Sequence, residues 1–126
     1  MAPSLLSADF ANLKSEIENV VAAGADWIHV DVMDGHFVPN LTIGAPVVAS
    51  LRKSTNAPLD VHLMIEKPEK LLPDFIRAGS DSITIHVEST DVPDDCLKMI
   101  REAGRLAGIT LRPATPLEAI LPFINQ

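Results

Sequence analysis

The sequence predicts an α/β fold in which short strands alternate with single helices around a parallel sheet. Five short apolar runs, often β-branched, cover residues 3–6, 27–32, 59–64, 82–87 and 107–111. Their starts lie 24, 32, 23 and 25 residues apart, which leaves room for one helix between successive strands. A loop motif also occurs twice. Ala23-Gly24-Ala25-Asp26 leads into a strand carrying His29, and Ala78-Gly79-Ser80-Asp81 leads into one ending at His86. Such repetition suits a barrel assembled from repeated βα units.

The intervening segments carry helical period and punctuation. Asp9 can cap a helix whose Leu13, Ile17, Val20 and Val21 share a face, with Gly24 as its stop. A second helix fits 45–53, with Val47, Val48 and Leu51 as apolar positions. A third fits 68–78, starting at Pro68 and closed by Gly79, and Pro73 should kink it or restrict its start. A fourth fits 93–103, closed by Gly104, and a last helical segment covers 116–124. No linker interrupts the pattern, so residues 1–126 read as a single domain.

Composition excludes several classes. Of 126 residues, 47% are hydrophobic, too many for a disordered or low-complexity chain. Ten Lys and Arg stand against 17 Asp and Glu, and the resulting charge of −7 argues against nucleic acid or a membrane surface as partner. The lone Cys96 cannot form an internal disulfide, which points to a reducing, cytoplasmic setting. No apolar run approaches the roughly 18 residues of a membrane-spanning helix, and no signal peptide is visible.

Polar residues collect at the carboxyl ends of the expected strands, where sites form in parallel α/β sheets. Ser7 follows the first, His29 and Asp31 end the second, His62 the third, His86 the fourth and Arg112 the fifth. Strand side chains alternate faces, so His29, Asp31 and Met33 share one face, as do His62 and Met64. Two imidazoles and a carboxylate form a natural three-ligand set for zinc, iron or manganese. Other residues have plainer readings. His36 is a loop hydrogen-bonder, Asp34-Gly35 a turn and Cys96 inert packing. Met33 and Met64 are core or pocket wall. Lys14, Glu16, Glu18, Lys67, Glu69 and Lys70 are a solvated helix face.

Residues 29–40 (HVDVMDGHFVPN), continued by Leu41-Thr42-Ile43-Gly44, resemble the signature of ribulose-phosphate 3-epimerases. Residues 3–13 (PSLLSADFANL), 60–64 (DVHLM) and 85–88 (IHVE) resemble three more blocks of that family, in the same order. The resemblance implies a TIM (β/α)8 barrel, present here as about five βα units. It implies interconversion of D-ribulose 5-phosphate and D-xylulose 5-phosphate at C3, in the pentose phosphate pathway or Calvin cycle. By motif position it makes His29, Asp31 and His62 metal ligands and Asp31 one acid/base. Ser7 and His62 then contact substrate, while Met33 and Met64 line the reacting centre. The implied cofactor is a divalent metal, zinc first, with iron or manganese as alternatives. The implied partner is a small sugar phosphate, and a homo-oligomer is expected. The implied location is cytoplasmic, or plastid if a transit peptide has been removed.

The family's second acid/base, an aspartate on the seventh strand, and its Gly-rich phosphate loops have no counterpart here. A complete barrel takes about 250 residues. The expectation is therefore an N-terminal portion, inactive by itself. Arg112-Pro113 departs from the Asn or Lys that many members place before the proline. Three rival readings remain. They are an epimerase of another ketose phosphate, a non-catalytic metal-binding half-barrel, and an independent five-stranded flavodoxin-like sheet.

Overall fold

The structure, a computed structural model, describes residues 2–124. Four parallel strands form one sheet: β1 (Ile28–Met33), β2 (Leu59–Met64), β3 (Ser82–His86) and β4 (Leu106–Thr110). They lie in the order β1-β2-β3-β4. Around them run α1 (Leu13–Ala22), α2 (Ala45–Ser54), α3 (Leu72–Arg77), α4 (Pro93–Glu102) and a short α5 (Leu121–Ile124). Among the described residues, no helix is long and apolar enough to cross a membrane.

Sequential strand order and mutual contacts of α1 with α2, α2 with α3, and α3 with α4 place the helices side by side on one face. This is the wall of a (β/α) barrel. The flavodoxin-like alternative requires a reordered sheet with helices on both faces, so it is excluded among the described residues.

The first expected strand, residues 3–6, is reduced to a single bridge between Ser4 and His29. The His29 N–H donates to the Pro3 carbonyl at 2.9 Å, which places this segment beside β1. Pro3 lacks an N–H to extend a ladder. The Ser4 hydroxyl then caps a 3-10 turn at Leu5–Ser7 by accepting from the Leu6 N–H. The third expected helix is also divided. Pro68–Lys70 form a 3-10 turn, and α3 starts only at Leu72, with Pro73 in its first turn. The prolines thus restrict the helix start rather than kinking it.

Strand alternation divides the sheet into two surfaces. Ile28, Val30, Val32, Leu59, Val61, Leu63, Ile83 and Ile85 are fully buried or nearly so. They pack with Ile17, Val48, Leu51, Leu72, Phe75, Leu97 and Ile100 from the helices. The opposite surface carries the polar strand residues. The repeated loop motif has a structural basis. α1, α3 and α4 all end on a glycine with positive φ: Gly24 (104°), Gly79 (101°) and Gly104 (77°). Each makes the same pair of closing bonds, such as Gly24 N–H to Val21 O and Ala25 N–H to Val20 O.

Arg52, at the end of α2, ties these layers together. Its guanidinium donates to Asp81 Oδ2 and to the carbonyls of Thr55 and Ala57, each at 2.7 Å. Asp81 also accepts from the Leu59 N–H at 2.8 Å. Arg52→Met should therefore destabilise the protein by about 2–3 kcal/mol, in the range of hydrogen bonds to charged groups. Urea unfolding would measure it, and a loss below about 0.5 kcal/mol, typical of an exposed pair, would refute the linkage.

Candidate metal centre

Parallel pairing brings β1 and β2 into a register that decides the site. Opposite one another lie His29 and Asp60, then Asp31 and His62, then Met33 and Met64. All six occupy the half-buried positions of strands whose alternate residues are buried. They therefore share the face turned away from the helices. The result is a checkerboard of imidazole and carboxylate, with two thioether residues at the carboxyl end.

His29, Asp31 and His62 each offer a ligand atom, and these atoms all lie within 4.8 Å of one another. Asp31 Oδ1 is 2.9 Å from His29 Nε2 and 3.5 Å from His62 Nδ1. The remaining oxygen, Oδ2, accepts from the Ser4 hydroxyl at 2.7 Å. Two neutral nitrogens and one carboxylate oxygen from a rigid sheet fit a divalent transition metal and leave further coordination positions free. The three expected ligands are thus brought together, with Met33 and Met64 one step along the same face. Ser7 is exposed at the end of its turn, beside a small cavity formed with Pro3, Leu5 and Val20. The hydroxyl delivered to Asp31 is that of Ser4, a residue the sequence reading did not select.

Electrostatics separate the histidines. Burial works against a charged His29, but hydrogen bonding to Asp60 and the charges of Asp31 and Asp60 outweigh it and hold its pKa above the usual value. His62 is lowered, first by burial and then by the neighbouring His86. His86 is lowered mainly by burial, despite nearby Glu88. The rings of His62 and His86 stack with centroids 4.9 Å apart, and their Nε2 atoms are 2.8 Å apart. One must donate and the other accept. With His62 Nδ1 turned to Asp31, its Nε2 is held by His86, as the second nitrogen of a metal-ligating histidine usually is.

The loops above the strands keep the turn expected at Asp34-Gly35, where Gly35 has a φ of 74°. Asp34 accepts from the N–H groups of His36, Phe37 and Glu66, joining the loop after β1 to the loop after β2. Phe37 packs on His86 at 5.0 Å, and the Arg112 guanidinium lies 3.7 Å above the Phe37 ring. Phe37 and Arg112 border an open cavity of about 490 Å³ together with Lys67 and Glu88. Glu69 is not part of a solvated face, since it is half-buried and accepts from the Thr90 hydroxyl at 2.8 Å. Cys96 is buried, and burial pushes its thiol up to about 11, which leaves it protonated and inert at neutral pH.

A model of the ribulose-phosphate 3 epimerase family matches residues 1–126. The chain belongs to the ribulose-phosphate 3-epimerase family. It is 50% identical over 126 residues to "Ribulose-phosphate 3-epimerase, cytoplasmic isoform" of Oryza sativa subsp. japonica, covering 99% of this chain and 55% of that protein. It is 53% identical over 124 residues to "Ribulose-phosphate 3-epimerase" of Mycobacterium tuberculosis, covering 98% and 53%. With the protein of the same name from Synechocystis sp. it shares 55% over 130 residues, covering 99% and 56%. This epimerase-family chain spans about half the length of the curated relatives it matches. Its four sequential parallel strands accord with a portion of the family's barrel.

Proposed function

We propose that the whole protein interconverts D-ribulose 5-phosphate and D-xylulose 5-phosphate by moving the proton at C3. The observation that carries this reading is the position of Asp31. Its Oδ1 lies between the imidazoles of His29 and His62, and its Oδ2 is turned to Ser4. Inversion beside a ketone needs a base on one face of the carbon and an acid on the other. Asp31 holds or takes the proton on one face. The Ser4 hydroxyl donates its one hydrogen to that carboxylate and so fixes its orientation. Met33 and Met64 form a polarisable wall near the reacting carbon, and the His86–His62 stack keeps the second imidazole in place.

His29, Asp31 and His62 would hold a divalent cation, with zinc, iron and manganese all suited to the donor set. When bound, such a cation supplies Lewis-acid stabilisation of the negative charge that develops on the enediolate oxygens, worth several kcal/mol. The other proton carrier, the phosphate grip, cytoplasmic location and a homo-oligomeric assembly belong to the reading of the whole protein.

The test is ribulose 5-phosphate in D2O with the full-length enzyme. Deuterium should enter at C3 with formation of xylulose 5-phosphate. Turnover should fall in proportion to metal removed by chelator and return with zinc, iron(II) or manganese(II). Full turnover of metal-free protein would end the metal reading. A hexulose 6-phosphate turned over in preference would end the substrate assignment.

A further inference from the structure

We infer that Asp60 is a positioning residue for this centre, one that fixes the His29 imidazole with Nδ1 protonated and Nε2 turned to the cation. The inference rests on the metal reading above and extends it to the fourth corner of the checkerboard. Asp60 is not one of the three side chains whose ligand atoms converge. It sits directly opposite His29 in the ladder, two residues before His62 on the same strand face. Its Oδ2 lies 2.9 Å from His29 Nδ1, while His29 Nε2 lies on the other side of the ring, 2.9 Å from Asp31.

The chemistry then follows from the donor inventory. A carboxylate only accepts, so the hydrogen between Asp60 and His29 belongs to Nδ1. Nε2 faces the Asp31 carboxylate at the same 2.9 Å, so a cation in the triad would take the place of the hydrogen shared there, leaving Nδ1 protonated and the lone pair of Nε2 free to ligate. The contact with Asp60 does two things at once: it selects the tautomer able to ligate, and it locks the ring's rotation about its long axis. It also raises the basicity of the ligating nitrogen, as a carboxylate behind a metal-bound histidine does. The strand pairing provides this without any loop, since His29 and Asp60 meet wherever Asp31 and His62 meet.

Asp60→Asn and Asp60→Ala in the full-length protein test the inference with Zn2+ as the probe. Affinity is read by competition with a chromophoric chelator. Loss of the carboxylate should weaken Zn2+ binding by about 10–100-fold, the usual effect of removing such a partner. Alanine should cost more than asparagine, which still presents an acceptor but also a donor that allows the wrong tautomer. Histidine-selective 15N NMR of the zinc-loaded wild type should show zinc on Nε2 of His29 and a hydrogen-bonded proton on Nδ1. If alanine prevents folding, the near-isosteric asparagine carries the comparison. Affinities of both variants within twofold of wild type, or zinc on Nδ1, would overturn the role of Asp60. A wild-type protein that binds none of the three metals would instead overturn the metal reading, and this inference with it.

Discussion

Asp31→Asn should lower kcat of the full-length enzyme for ribulose 5-phosphate on the order of 10³–10⁴-fold. General acid/base catalysis alone contributes about 10²–10⁴-fold, and the same carboxylate faces both triad imidazoles. The amide cannot take up the C3 proton, and its NH2 group presents a donor where His29 and His62 need an anion. Deuterium exchange at C3 should fall by the same factor as net epimerisation, because the lost step is proton removal itself. The fold should survive, since Asp31 lies on the polar face and the buried face of β1 is untouched. A variant that keeps more than a tenth of wild-type turnover would remove Asp31 from the reaction.

The second large effect concerns the other surface of the sheet. Phe75→Ala should destabilise the protein by about 3–5 kcal/mol, the usual range for removing a buried aromatic side chain. Phe75 on α3 is 1% exposed and belongs to the single cluster that joins the helices to the strands. Its backbone carbonyl is held by Ser80, with N–H and hydroxyl both donating to it, so the helix end cannot readily shift to fill the space. Phe75→Leu should cost far less, because most of the volume remains. Denaturant unfolding at constant m-value reads both. A loss of under about 1 kcal/mol for alanine would show that the site collapses around the void.

The contrast between these residues shows what could be read from sequence. Period-2 alternation in β1 and β2 is a local pattern, so the convergence of His29, Asp31 and His62 was visible once the strands were assumed parallel and in register. The glycine stops were equally local, because a positive φ after a helix leaves few alternatives to glycine. The segment at residues 3–6 was not legible as it stands. Its composition suits a strand, but Pro3 removes a donor and the Ser4 side chain competes for the backbone of the turn. Asp60 and Ser4 carry no signal of their own. Each acquires a role only through its neighbour on another segment, His29 for one and Asp31 for the other. Arg52 is similar, since nothing along α2 announces that Asp81 and two carbonyls wait for its guanidinium. Partners far apart in sequence are set by tertiary pairing, which single-residue preference does not encode.

The adjacency of β1 and β2 has one further consequence, for the order of events during synthesis. His29, Asp31, Asp60 and His62 hang from a single strand–helix–strand unit. The His29–Asp60 contact spans 31 residues, all of them inside that unit, so it needs no later segment of the chain. A nascent chain emerging from the ribosome therefore completes this portion of the centre as soon as β1, α2 and β2 have cleared the exit tunnel, before β3 and β4 exist. Two strands and a helix are marginal by themselves in water. A cation captured at that stage would cross-link them, and its binding free energy would favour the growing sheet over its unfolded alternatives. Metal supply in the cell would then act on the yield of folded enzyme as well as on its turnover.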